Sequence, residues 1–369
     1  MAGNQEAFFA LVRAGLWEDV KVKGERLEVK DLPFAFSPID WSEVCRLASE
    51  QAVVGLVAAG LEHVTDVKVP QVWALQFAGQ TIQLEQRNKA MNQFIAELVA
   101  KMQGTDIYTL LVKGQGIAQC YARPLWRTSG DVDLFLSAEN YEKAKELLSP
   151  LSSGNKPECN YSKELGYYID SWSVELHGTQ RTGLSSRVDA EIDAVQRDLF
   201  YGGKVRSWNN GGTTIFLPAA DEDVFLVFTH FIKHFYKEGG VTVRQMCDWC
   251  RLLWTYREQL DLSLLESRIR KAGLMSEWKA FGALAVEYLG MPEEAMPLLK
   301  VRGKSLEVRD KKYKRKAEKI VDFILKGGEW RKWRDTMTIA QIFPLNVLRF
   351  APGILLNVNL LKVKERLFN

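Results

Sequence analysis

The chain has 369 residues, enough for two or three domains and a sizeable core, and its 47% hydrophobic and 26% charged residues are ordinary for a globular protein. A net charge of +3 is too small to argue for a nucleic-acid or membrane partner from composition. The start, "MAGNQEAFFALVRAGLWEDV", lacks the pattern of a signal peptide, and no run of about 20 apolar residues predicts a spanning helix. Cys45, Cys120, Cys159, Cys247 and Cys250 are scattered and read as reduced thiols, so a cytoplasmic location is expected.

From residue 5 to about 104 the sequence reads as helix. "PIDWSEVCRLASEQAVVGLVAAGLE" sets Val44, Leu47, Ala48 and Ala52 at helical spacing, although Ser42 and Cys45 do not complete a capping box. The long amphipathic stretch from Gln71 closes at Gly104. "IYTLLV" (107–112) is short and β-compatible, "KGQG" is a turn, and "IAQCYA" fits one or two helical turns. "DVDLFLS" reads as a strand, "AENYEKAKELLSPL" as a helix, and "GYYIDSW" and "SVELHG" as successive strands. "SWNNGGTTIFLPAADED" is turn-rich and leads into further helices from about 220. The expected class is α+β, a small mixed β-sheet core flanked by N-terminal and C-terminal helical regions. Its expected division is 1–104 helical, 105–218 the α/β core, 219–330 helical, and 331–369 an apolar and basic segment.

Asp131 and Asp133 stand out inside the apolar strand "DVDLFL", because an unpaired buried charge is costly. Residues i and i+2 share one face of a strand, so both acids project together while Val132 and Leu134 go the other way. Two carboxylates that close repel unless a cation lies between them. A divalent ion supplies one, and paired ions about 3.5–4 Å apart serve phosphoryl-type transfer. An EF-hand is excluded, since Phe135 and Leu136 stand where that loop needs Asp or Asn and then Gly. The harmless alternative has Asp131 capping a turn and Asp133 facing solvent on an edge strand.

The neighbours favour the metal. Gly114 and Gly116, after Lys113, let backbone amides approach a phosphate, and a following helix N-terminus favours an anion. Arg123 and Arg127, just before Gly130, are placed to reach triphosphate oxygens. Glu175 and His177 share a strand face downstream, where a third carboxylate could bind the ion or take a hydroxyl proton; a Glu paired with a Lys is the alternative. Asp170, Asp189 and Glu191 are other nearby acids. In "DVFLVFTHFIKHFYKE", His230, Lys233, His234 and Lys237 form one helical stripe, suited to phosphates or an acceptor, or else to solvent. Arg244 and Asp248 are one turn apart and could pair, while Cys247 and Cys250 fall among core-facing positions. The basic run around Lys311–Lys316 is a solvated helix face or a contact for nucleic acid or anionic lipid. The tail after Phe343, broken by Pro344 and Pro352, is expected to pack on the helices, with a peripheral or oligomer contact as alternatives.

"LLVKGQGIAQCYARPLWRTSGDVDLFL", "VELHG" and "HFIKHFYKEGGVTVRQMCDW" together resemble a bacterial family of uncharacterised nucleotidyltransferases within the DNA polymerase beta-like superfamily. The resemblance covers roughly residues 40–255. It implies that Asp131, Asp133 and Glu175 are the catalytic, metal-binding acids and that Gly114 marks the nucleotide turn. It places Lys113, Gln115, Arg127 and Gly130 with Gly114 on the nucleotide side. His177, His230, His234, Lys237, Arg244 and Asp248 become acceptor or supporting residues. Gly114-Gln115 departs from the superfamily's usual Gly-Ser or Gly-Gly, and Glu175 is longer than the usual Asp. The implied function is Mg²⁺- or Mn²⁺-dependent transfer of a nucleoside monophosphate from an NTP to an acceptor, whether a small molecule, RNA or protein. Alternatives are a nucleotide-binding sensor without turnover, or a toxin-like enzyme modifying tRNA or protein.

Overall fold

Val132, Leu134 and Leu136 are buried on one side of the central strand and Phe135 on the other, so apolar layers must cover both faces of the sheet. A computed structural model describes residues 2–22, 25–26, 39–64, 69–159, 161–237, 240–298, 311–325 and 331–352. The chain opens with α1 (Ala2–Leu16), the short strands β1 (Lys21–Val22) and β2 (Glu25–Arg26), then α2 (Trp41–Glu50), α3 (Val54–Leu61) and α4 (Gln71–Gln103). The middle contains β3 (Thr109–Val112), α5 (Gly114–Ala118), β4 (Asp131–Leu136), α6 (Ala138–Leu148), β5 (Gly154–Asn155), β6 (Glu164–Ile169), β7 (Trp172–His177) and α7 (Ser186–Phe200). Strands β8 (Val205–Asn210) and β9 (Thr213–Pro218) precede α8 (Ala220–Lys237), α9 (Val243–Tyr256), α10 (Leu262–Ala272) and α11 (Met275–Glu287). Helices α12 (Lys311–Leu325) and α13 (Arg331–Ile342) follow.

The α+β class expected from the sequence is the one observed, with a larger sheet. Its seven strands run β5-β6-β7-β4-β3-β9-β8. β4 is parallel to β7 and antiparallel to β3, while β3 is parallel to β9. This register sets Asp133 opposite Val112 on one side and Glu175 on the other. Val132, Leu134 and Leu136 pack with Met91, Ile95 and Leu98 of α4 and with Tyr141 and Leu148 of α6. On the opposite face Phe135 meets Phe200 of α7, with ring centroids 5.1 Å apart. That second layer is continuous with a core shared by the N-terminal helices and by α8–α12.

Several local readings change. Asp40 caps α2 by accepting from the Ser42 and Glu43 amides, a cap that the sequence reading did not name. The turn-rich stretch is a hairpin: Asn210 pairs with Thr213 across Gly211 and Gly212, both at positive φ (+60° and +92°). Helix α7, which the sequence reading passed over, covers the face that the acids share with Phe135. The helix after the Lys113–Gly114 turn has only five residues, so little dipole is available to an anion there. Lys311, Lys312, Lys314, Arg315 and Lys319 of α12 are exposed, Lys316 is half-buried over the Phe343 ring, and Ala317, Ile320 and Ile324 are buried. Phe343 and Phe350 pack into the helical core, and Pro344 opens a further helical stretch at 344–352, separated from α13 by Phe343. Residues 299–310 of the basic region and 353–369 of the tail lie outside the described residues. No described helix is long and apolar enough to cross a membrane.

Helices α1 and α3 touch backbone to backbone. A Cβ on Gly60 would lie 2.1 Å from the Leu11 carbonyl oxygen, and one on Gly15 would lie 2.0 Å from that of Leu56. Gly60→Ala is therefore expected to lower unfolding free energy by about 1–3 kcal/mol in urea titration. Gly79 on exposed α4 has no atom within 4 Å of an added Cβ, so Gly79→Ala should instead stabilise by up to about 1 kcal/mol.

Candidate active site

β3 delivers the chain to a sharp turn at Lys113 (φ +59°, ψ −148°) and Gly114 (φ +43°). For a lysine this backbone region is strained by roughly 1–3 kcal/mol. The turn places Lys113 Nζ 2.9 Å from Asp133 Oδ1. His177 Nε2 is 2.8 Å from the same oxygen and 4.0 Å from Glu175 Oε2. Glu175 Oε1 in turn accepts from Lys156 Nζ at 2.8 Å. One ligand atom each from Asp133, Glu175 and His177 can be chosen so that all lie within 4.8 Å of one another. Two carboxylates suit Mg²⁺ or Mn²⁺, and the imidazole is a donor that transition metals accept, so the residues fit a divalent cation.

The two strand acids have opposite electrostatics. Burial pushes the Asp133 carboxyl up, but the Lys113 ammonium and the His177 hydrogen bond overcome it and hold the group well below the usual carboxylate range. Asp131 is pushed above its ordinary value by the Asp133 charge and by burial, with Lys113 opposing.

These groups line a cleft of about 350 Å³ between the sheet and the helices. The helical wall contributes His230, Lys233 and His234 from α8 and Arg244 from α9. His230 and His234 meet Nε2 to Nε2 at 2.9 Å. Burial, then the charges of Lys113, His234 and Lys233, hold the His230 imidazole well below its ordinary value, so it is neutral at pH 7. Arg244 Nη1 donates to the Thr128 carbonyl at 3.2 Å, while its buried Nε has no partner. Burial and the charge of Arg127 lower the proton affinity of this guanidinium.

Arg127 lines the cleft but is otherwise engaged. Its Nε and Nη2 each donate to Asp248 at 2.7 Å, and Nη1 donates to Ser129 Oγ at 2.7 Å. Asp248 also accepts from the Tyr121 hydroxyl at 2.7 Å. The Arg244–Asp248 helix pair suggested by the spacing therefore gives way to a bidentate pair across 121 residues of chain. Gln115 points away from the cleft: its Nε2 donates to Asn88 Oδ1 at 2.8 Å in the core. Gly130 is exposed and does not line the cleft, and Arg123 is clamped on Glu18 and Glu62. Lys237 donates to the Thr182 carbonyl at 3.0 Å and is also outside the cleft lining. Among the alternative acids, Asp189 accepts from the Thr182 and Gly183 amides, and Asp170 sits in the β6–β7 turn at φ +51°.

Sequence reasoning missed Asn88, and Lys156 is the unnamed lysine of the Glu–Lys pair that it offered as the alternative at Glu175. Asn88 is fully buried on α4, where it donates to the carbonyls of Leu125 and Arg127 at 2.8 Å each. Its signal was available: a polar residue on the stripe otherwise formed by Phe77, Thr81, Met91 and Ile95.

Comparison with protein families finds that the family described as "Uncharacterised nucleotidyltransferase" matches residues 37–290. A comparison with curated proteins finds no match. Among solved structures, an antigenic nucleotidyltransferase-like protein from Paracoccidioides brasiliensis is similar at 12% identity, covering 50% of this chain and 90% of that one with a TM-score of 0.31.

Two outcomes follow from the charges. Asp133 titrates lower in the folded chain than unfolded, so its stabilisation is complete above the unfolded aspartate range of about pH 4 and is lost on acidification below it. Asp131 has the opposite sign, because its raised carboxyl destabilises the fold once pH rises through that range. In chelator-treated protein, Asp131→Asn should be more stable than wild type at pH 7, with the gain vanishing towards pH 3; denaturant titrations across this range check it. Separately, Arg127→Ala or Asp248→Ala should each cost about 3–5 kcal/mol, and the double variant less than their sum, in a double-mutant cycle.

Proposed function

Because the chain belongs to the uncharacterised nucleotidyltransferase family, we propose that this cleft transfers a nucleoside monophosphate from an NTP to an acceptor hydroxyl, with loss of pyrophosphate. The observation that carries the reading is the strand register. It brings Asp131, Asp133 and Glu175 to the sheet wall of a cleft whose helical wall is cationic and histidine-bearing. Those three acids would hold Mg²⁺ or Mn²⁺, with His177 beside them, and the ion would neutralise charge between the triphosphate and the acid cluster.

The chain's own groups supply the rest. Arg244 offers a buried, unpartnered N–H donor, the kind of group that an arriving phosphate satisfies. Lys113 lies at the turn beneath the same cleft. Arg127 acts through Asp248 as a positioning residue, fixing the segment that carries the acids. Glu175 takes the acceptor's proton as that oxygen bonds to the α-phosphorus. The bond to the bridging oxygen breaks and pyrophosphate leaves with its electrons. Neutral His230, sharing a contact with His234, faces the acceptor side.

One feature favours a second reading, a nucleotide sensor without turnover. The turn residue after Gly114 is Gln115, which is buried against Asn88 and offers the phosphate nothing. Incubation with α-labelled and γ-labelled NTPs, Mg²⁺ or Mn²⁺, and metabolite, RNA and protein fractions separates the two. Transfer of α-label, lowered at least about 100-fold in Asp133→Asn, supports the enzyme. Nucleotide binding without α-label transfer supports the sensor, and γ-label alone would make the protein a kinase.

A further inference from the structure

Asp133 and Glu175, paired across β4 and β7, each already hold a lysine. Lys113 is 2.9 Å from Asp133, and Lys156 is 2.8 Å from Glu175. The two contacts differ in depth: the Lys113 and Asp133 side chains are 18% and 3% exposed, whereas Lys156 is 48% exposed. Only the Lys113 contact is largely buried at both ends, so it is the one that an ion arriving at Asp133 would have to displace, because desolvation makes surplus positive charge expensive there.

Lys113 has a second feature. Its strained turn roots the side chain between Asp133 and the open cleft, so one backbone position serves two destinations for the ammonium. Arg244 stands on the opposite wall with an unpartnered donor, and the α8 histidines add no anion. Among the acids lining the cleft, Asp131 and Glu175 are the other proposed ion ligands and Asp248 is held by Arg127, so once an ion occupies the cluster an ammonium leaving Asp133 is best matched by a new anionic partner.

We propose that Lys113 is a displaceable internal cation that holds the ion's place on Asp133 and passes to the nucleotide phosphates when ion and nucleotide bind. This rests on the nucleotidyl-transfer reading of the same cleft. A divalent ion arriving alone competes with a tethered ammonium present at high effective concentration, so it binds weakly. A nucleotide gives the displaced ammonium a partner, so ion and nucleotide strengthen each other's binding by the same factor.

The test is calorimetric titration of Mn²⁺ into full-length protein, with and without a non-hydrolysable NTP analogue. Lys113→Met is expected to tighten nucleotide-free Mn²⁺ binding by about tenfold and to erase the cooperativity with the analogue. Lys156→Gln should change it much less, and Asp133→Asn should abolish it. Unchanged or weaker Mn²⁺ affinity in folded Lys113→Met overturns the proposal. Should that variant fail to fold, reductive methylation of wild type with peptide mass spectrometry replaces it. Lys113 should be protected in chelator and react several-fold faster in saturating Mn²⁺, whereas equal reactivity overturns the exchange. The outcome is separable from the function: Mn²⁺ exchange without α-label transfer leaves the proposal standing and removes the enzyme, and the converse removes only the exchange.

Discussion

Asp133 is a carboxylate buried in the middle of an apolar sheet, and the surroundings are arranged to keep it ionised. Lys113 reaches it from the end of β3 and His177 from the neighbouring register position on β7. Neither partner could do so without the parallel pairing of β4 with β7 and the antiparallel pairing of β4 with β3. The strained Lys113 turn makes sense in this setting, since the ion pair over-determines a conformation that the backbone alone would avoid. The same charge that Lys113 stabilises on Asp133 raises the carboxyl of Asp131, so the two strand acids sit in opposite electrostatic environments.

A second buried pair joins the sheet side of the cleft to its helical side. Arg127 lies in the segment that leads into β4, and Asp248 on α9; their bidentate contact ties the sheet to the helices that carry His230, His234 and Arg244. Asn88 completes the support by fixing the Leu125 and Arg127 carbonyls and the Gln115 side chain. Arg127 thus lines the cleft with its donors spent on Asp248 and Ser129, Gln115 is turned away into the core, and Arg244 keeps a buried donor without a partner.

Local periodicity made much of this legible. Two acids at i and i+2 in an apolar strand, Glu175 and His177 at the same spacing, and two histidines at i and i+4 are placed by strand and helix geometry alone, and the structure brings them to one cleft. Partner choice was not legible in the same way. Asp248 lies one turn from Arg244, yet it pairs with Arg127 because only a tertiary approach presents both guanidinium nitrogens at once. Gln115 looked like a cleft residue from its neighbours, but the five-residue α5 turns its side chain under the sheet towards α4. The β8–β9 hairpin hid behind its Asn and Gly residues, which are turn formers in loops and hairpins alike.

The measurement that bears most directly on this reading is a crystal structure with Mn²⁺ and a non-hydrolysable NTP analogue, using the anomalous signal of the metal. The expected result is manganese held by Asp131, Asp133 and Glu175 against the triphosphate, with Arg244 on a phosphate and Lys113 off Asp133. An analogue bound elsewhere, or a cleft with no manganese signal and the Lys113–Asp133 contact intact, would contradict it.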